Sequence, residues 1–145
     1  MVEEYLFKEE TDNIISAFYE VYNSLGYGFL ERVYQNALYQ ELKRRGIRCE
    51  TQKQIKVFYK GKEVGEYFAD ILVNDSIILE LKACESICHE HELQLINYLK
   101  ATDIEFGLLL NFGEKPQMKR KVYANERKEN LRSSAATASS ACHKI

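Results

Sequence analysis

No apolar run in this sequence approaches the length that a bilayer-spanning helix needs. The first residues, Met1-Val2-Glu3-Glu4-Tyr5, are acidic and lack a hydrophobic signal core. Both absences point to a cytoplasmic protein with no membrane partner. Four cysteines (Cys49, Cys84, Cys88 and Cys142) are scattered without the spacing of a disulfide framework, which fits a reducing compartment. There is no excess of positive charge, because 20 Lys and Arg face 22 Asp and Glu for a net charge of −2. A strongly basic nucleic-acid binder is thereby excluded. The chain also has no glycine-rich loop to cradle phosphates, no Ser- or Cys-centred nucleophile motif and no internal repeat.

What remains is a globular composition, 46% hydrophobic and 29% charged, over 145 residues. That length holds one domain with a real core and is too short for two ordinary ones. Ile14, Ile15, Phe18, Tyr22 and Leu25 recur at helical spacing and predict a first helix over 9–25, broken by Gly26-Tyr27-Gly28. Leu30, Val33, Tyr34, Ala37, Leu38 and Leu42 give a second helix over 29–45, with Gly46 as its stop. Ile55, Val57 and Tyr59 alternate with polar residues as a strand that turns at Lys60-Gly61-Lys62. Strands over 63–73 and 77–83 follow, then a third helix over 86–100 and a fourth strand over 104–112.

The order α-α-β-β-β-α-β gives an α/β (α+β) fold with a mixed four-stranded sheet flanked by helices. A crossover helix before the last strand makes that strand parallel to a neighbour. Past Gly113 the charged stretch to about Leu131 reads as helical, so a single domain spans 1–131. Residues 132–145, with the run Ser133–Ala141, form a low-complexity tail expected to be disordered. Lys43-Arg44-Arg45 with Arg48, and Lys115–Lys128 with Lys119-Arg120-Lys121, are basic islands best read as solvated helix ends or tail.

The most informative feature lies on the two apolar runs Tyr67–Val73 and Ile77–Ala83. A three-residue loop at Asn74-Asp75-Ser76 pairs Val73 with Ile77 and sets Asp70 opposite Glu80. A two-residue loop would send the two acids to opposite faces. Alternation then puts Phe68, Asp70 and Leu72 on one face, together with Ile78, Glu80 and Lys82. A lone Glu-x-Lys on a strand is ordinarily a solvated surface pair. Here both faces are apolar, with Ile71, Val73, Ile77, Leu79 and Leu81 on the other side, as in a sheet covered on both sides. Two carboxylates and an ammonium buried there need a purpose, and a divalent cation supplies one.

His91, Gln94 and Tyr98 stand at i, i+3 and i+7 of the third helix, on one face. That face either leans over the carboxylates or is simply the wet side of an amphipathic helix. Glu31 opens the second helix, where an acid is stabilising for structural reasons alone. Cys84, Cys88, His89 and His91 lack the Cys-x2-Cys spacing of strong zinc sites.

Gly28-Phe29-Leu30-Glu31-Arg32-Val33-Tyr34 matches Gly-x-x-Glu-x-x-Tyr, and the chain over 14–113 resembles the GxxExxY protein family, placed in the PD-(D/E)XK nuclease superfamily. The αβββαβ core of that superfamily agrees with the element order above, with the first helix as an N-terminal addition. By this resemblance Asp70 is the first acid, Glu80-Leu81-Lys82 the acid-x-Lys element and Glu31 the helical acid before the sheet. Gln94 and Tyr98 resemble the Gln-x-x-x-Tyr element of exonuclease-like members. Ala69 stands where the superfamily's name-giving pattern has proline.

The resemblance implies a Mg²⁺-dependent (or Mn²⁺-dependent) nuclease. Asp70, Glu80 and the Leu81 carbonyl would hold the metal, and Lys82 would position or deprotonate the attacking water or stabilise the phosphate. Glu31 would assist, and Gln94, Tyr98, His91 and Tyr34 would hold substrate or groups behind the ligands. The partner would be nucleic acid, DNA ahead of RNA, with oligomeric state open and a homodimer among the options. Two alternatives stand beside it: a nuclease-fold module that binds nucleic acid or protein without cutting, and a structural zinc or interaction protein.

Overall fold

The structure is a computed structural model that describes residues 7–128. Helix α1 (Lys8–Leu25) buries Ile14, Ala17, Phe18 and Val21, one apolar stripe, and ends at Gly26 with φ 70°. Helix α2 (Glu31–Arg44) buries Tyr34, Gln35, Leu38 and Leu42. Both stripes pack on one face of a sheet formed by β1 (Cys49–Tyr59), β2 (Lys62–Val73), β3 (Ile77–Lys82), β4 (Phe106–Phe112) and β5 (Pro116–Val122). Helix α3 (His89–Lys100) covers the other face, burying Leu95, Tyr98 and Leu99 against Ile55, Leu72, Ile78 and Leu109. The result is three layers, helix pair, sheet and helix, which is why β3 and β4 are apolar on both sides. Gly107 in β4 lets α3 approach: a Cβ there would lie 2.7 Å from Leu95 Cδ1.

The spatial order of strands follows the chain, β1-β2-β3-β4-β5. Every pairing is antiparallel except β3 with β4, which α3 joins as a crossover. Lys60 and Gly61, both at positive φ, make the two-residue turn between β1 and β2. Asn74 and Asp75, also at positive φ, lead into Ser76, whose N–H bonds the Val73 carbonyl at 2.9 Å. This three-residue loop pairs Val73 with Ile77, the register expected from the turn chemistry.

The sheet corrects several expectations. It has five strands, not four, because 116–122, read as helical, pairs antiparallel with β4. Met118 turns toward the core, while Lys119 and Arg120 are exposed along an edge, where charge blocks further pairing. Strand β1 begins at Cys49 rather than Ile55, and α3 begins at His89 rather than Ser86.

Strict alternation along β2 also fails. Ala69 and Leu72 both join the core under α3, whereas Phe68 is 46% exposed. The break falls at Asp70, between the Thr51–Ile71 and Lys53–Ala69 pairs, where Gln52 of β1 has φ 52°. The expected low-complexity tail, 132–145, lies outside the described residues, as does the last part of the expected domain.

Candidate active site

The site forms where β2 and β3 part. Asp70 and Glu80 grip each other's strands: the Asp70 N–H donates to Glu80 Oε2 at 2.9 Å, and the Leu81 N–H donates to Asp70 Oδ2 at 2.8 Å. The ladder pairs Ile71 with Leu79 as its last step, so the carboxylates take over the role of backbone partners beyond it. Each acid thereby fixes one of its own oxygens and is held in a single orientation.

Burial makes this arrangement electrostatically tense. Glu80 is only 4% exposed. Its carboxyl is pushed up to about 8 by desolvation first and then by the Asp70 charge, against the opposing pull of the Asp70 N–H and of Lys82. Desolvation also raises Asp70, with the Glu31 charge adding to it, while the Leu81 N–H, Lys82 and Gln52 act in the other direction. Glu31, exposed at the first position of α2, therefore acts on both acids across the helix–sheet seam.

Lys82 leaves the end of β3 and donates to Gln94 Oε1 at 3.1 Å rather than to a carboxylate. Gln94 in turn donates through Nε2 to the Tyr98 hydroxyl at 3.1 Å. Gln94 and Tyr98 of α3 thus reach the end of β3 through Lys82. Burial and the Glu80 and Asp70 charges push the Tyr98 hydroxyl up to about 12, so it stays protonated. Asn111, fully buried and paired with Lys82 across the β3–β4 ladder, locks Cys84, two residues beyond Lys82, from both sides. Its Oδ1 accepts the Cys84 N–H and its Nδ2 donates to the Cys84 carbonyl, each at 3.0 Å.

Two expected site residues have other work. His91 Nδ1 accepts the Cys88 N–H at 3.3 Å and so caps α3 instead of facing the acids. Tyr34 is wholly buried and stacked on Phe112 at 4.3 Å between ring centroids, out of reach of any substrate. Its hydroxyl donates to the Gly26 carbonyl at 2.6 Å and accepts the Phe29 N–H at 3.2 Å. With Gly28 at φ 108°, this clamp shapes the loop that delivers Glu31 to the start of α2. Replacing Tyr34 by Phe should lower stability by about 1 kcal/mol, since the partly buried Gly26 carbonyl and Phe29 N–H lose their partner. Chemical denaturation would measure this, and an unchanged midpoint would show that the clamp is dispensable.

Sequence reasoning missed Gln52 and Gln35. Gln52 Nε2 donates to Gln35 Oε1 at 2.7 Å, and Gln52 lies close enough to Asp70 to favour its ionised form. Gln35 was detectable: it sits four residues after Glu31, inside the otherwise apolar stripe of α2. Gln52 was not, because nothing in the sequence announces its positive φ.

The profile of the PD-(D/E)XK nuclease superfamily matches residues 8–122. The chain belongs to the PD-(D/E)XK nuclease superfamily. The matched span runs from α1 to the last residue of β5 and so takes in the whole described sheet. No curated protein sequence matches significantly. Among solved structures, the crystal structure of SSO0001 is similar over 93% of this chain and 69% of its own, at 19% identity and a TM-score of 0.52, a likeness of fold. An alkaline exonuclease (LHK-Exo) from Laribacter hongkongensis aligns over 74% of this chain and 63% of its own, at 9% identity and a TM-score of 0.39.

PD-(D/E)XK nucleases generally use divalent metals, and the donors here fit one. Asp70 and Glu80 each keep an oxygen that is not bonded to backbone, and the Asp70 charge raises the Glu80 carboxyl, an effect that a cation between them would offset. Such hard oxygen donors suit a small divalent ion. Among the described residues no three His, Cys, Asp or Glu side chains form a group that could hold a metal ion. The cysteines and histidines around α3 form no such group either.

Proposed function

We propose that this protein is a metal-dependent nuclease that hydrolyses phosphodiester bonds at Asp70, Glu80 and Lys82. The observation that carries the reading is the reciprocal hydrogen bonding of Asp70 and Glu80 to each other's strands, which leaves each carboxyl, on neighbouring strands, one oxygen free for a cation. Mg²⁺ or Mn²⁺ is the cation proposed, held by the free oxygens of Asp70 and Glu80 with the Leu81 carbonyl. When bound, it acidifies water and offsets charge on the phosphoryl oxygens. DNA is the favoured substrate. The turn–Glu–clamp logic of Gly28, Glu31 and Tyr34 supports assignment to the GxxExxY branch.

In this reading the chain's own residues divide the work. Asp70 and Glu80 give the cation a fixed seat. Lys82, steered by Gln94, presents its ammonium to the phosphate and to the attacking water. Glu31, exposed at the mouth, orients that water. Gln52 and Gln35 brace Asp70 from the α2 side.

Purified full chain, assayed on single- and double-stranded DNA and RNA with and without Mg²⁺ or Mn²⁺, tests the proposal. A net charge of −2 supports one other reading, a nuclease-fold module that binds without cutting, and absence of cleavage on every substrate would favour it. Within the nuclease reading, Gln94→Ala should lower kcat/KM about 10–100-fold, the scale of losing a group that orients a catalytic residue. Metal affinity should hardly change, because Gln94 bonds Lys82 and Tyr98 and neither acid. Wild-type turnover by this variant would mean that the Lys82–Gln94–Tyr98 chain is only scaffolding.

A further inference from the structure

Beside the carboxylates lies a cavity of about 440 Å³ between the β1–β2 hairpin and α3, lined by Val57, Tyr67, Gln94, Asn97, Tyr98 and Lys100. Gln94 and Tyr98 belong both to its wall and to the chain that holds Lys82, so the cavity starts where the active site ends. We propose that this cavity binds an unpaired nucleobase next to the scissile phosphate, making the substrate a strand that is single-stranded at the cut. The proposal rests on the nuclease reading above and narrows it to a substrate class.

The wall has the chemistry of a base site. Two aromatic rings meet there, Tyr67 and Tyr98, with centroids 5.5 Å apart and planes inclined at 44°. Tyr98 is buried and braced by Gln94, whereas Tyr67 is 49% exposed and presents its ring to the opening. A base has a π-face whatever its sequence, so such a ring is a stacking platform. Asn97, whose side-chain amide makes no hydrogen bond within the described residues, offers a donor and an acceptor to a base edge. No lining residue is acidic. Lys100, its ammonium 5.4 Å from the Tyr123 ring centroid, supplies positive charge at the rim for the strand that carries the base.

Access decides between paired and unpaired substrate. The half-open cavity beside Tyr67 and Tyr98 takes a base by its face, which a splayed base offers and a base stacked in a duplex does not. A base inside a duplex would first have to leave the stack, at a cost of a few kcal/mol, whereas a base in a single strand or a frayed end pays little of it.

The test uses the full chain carrying Glu80→Gln, so that binding is read without cutting, and a fluorescently labelled oligodeoxynucleotide, alone or as its duplex. Adding Tyr67→Ala should weaken single-strand binding about tenfold or more, the scale of one base–aromatic stack. Tyr67→Phe should preserve it, and the duplex, bound mainly through its backbone, should respond little to either. Asn97→Ala, at an exposed helix position, should weaken the single strand several-fold without disturbing the fold. Equal affinities for the two oligonucleotides, unmoved by Tyr67→Ala and Asn97→Ala, would overturn the base site. In that case, cleavage by the otherwise wild-type enzyme would leave the nuclease reading standing. Conversely, Tyr67-dependent capture of the single strand, with no cleavage of any substrate by the chain that keeps Glu80, would refute the nuclease reading and uphold the pocket.

Discussion

Asp70→Asn and Glu80→Gln are each expected to reduce metal-dependent cleavage by about a thousandfold or more, the scale of the several kcal/mol of charge stabilisation that a Lewis-acid metal contributes. Each substitution removes one of two anionic ligands while leaving an amide oxygen to accept the same backbone N–H, Leu81 for position 70 and Asp70 for position 80. The fold should therefore survive, which circular dichroism can verify before activity is read. Metal titration by calorimetry should show the same loss. Cleavage at wild-type level by either variant would rule out the proposed mechanism, since that mechanism needs both carboxylates on the cation.

The legibility of that pair in the sequence has a simple physical origin. Register in a hairpin is set by its turn, and Asn74-Asp75-Ser76 has the residues that tolerate positive φ, so the Val73–Ile77 pairing followed from local chemistry alone. From it came Asp70 opposite Glu80. The β3–α3–β4 crossover was equally readable, because a helical run between two apolar strands leaves a parallel pairing as the ordinary solution.

What stayed hidden depended on partners distant in sequence. Strand β5 carries Lys119-Arg120-Lys121, whose charges suit an edge strand as well as a solvated helix, and only its pairing with the all-buried β4 decides the matter. Tyr34 reads as a motif residue near Glu31, yet its hydroxyl is engaged by Gly26 and Phe29, and its ring by Phe112 from the far end of the domain. The face switch at Asp70 arises from a backbone distortion at Gln52 that no propensity encodes. Phe68, expected on a covered face with Asp70 and Leu72, consequently lies half in solvent beside Tyr67.

The metal-free protein should lose stability as pH rises from about 4.5 to about 8, and Glu80→Gln should remove much of that loss. In the unfolded chain Glu80 ionises near its ordinary 4.5, whereas in the fold burial and the Asp70 charge hold its proton up to about 8. Between those values the folded state binds a proton that the unfolded state has released. Stability contributed by Glu80 is therefore complete below the lower value and is lost as pH climbs through the upper one. Asp70, also raised, adds to the slope in the same direction. The combined effect is on the order of a few kcal/mol, or roughly 10 °C in Tm for a domain of this size. Thermal melts of wild type and Glu80→Gln at pH 5 and pH 9 in a chelating buffer isolate it, because the two proteins share every other titrating group. Adding Mg²⁺ or Mn²⁺ should raise the Tm of wild type more at pH 9 than at pH 5, since the cation competes with the proton for the same two carboxylates. It should do little for Glu80→Gln. Coincident pH profiles for the two metal-free proteins would mean that Glu80 ionises freely in the fold, and the electrostatic case for a cation between the acids would collapse.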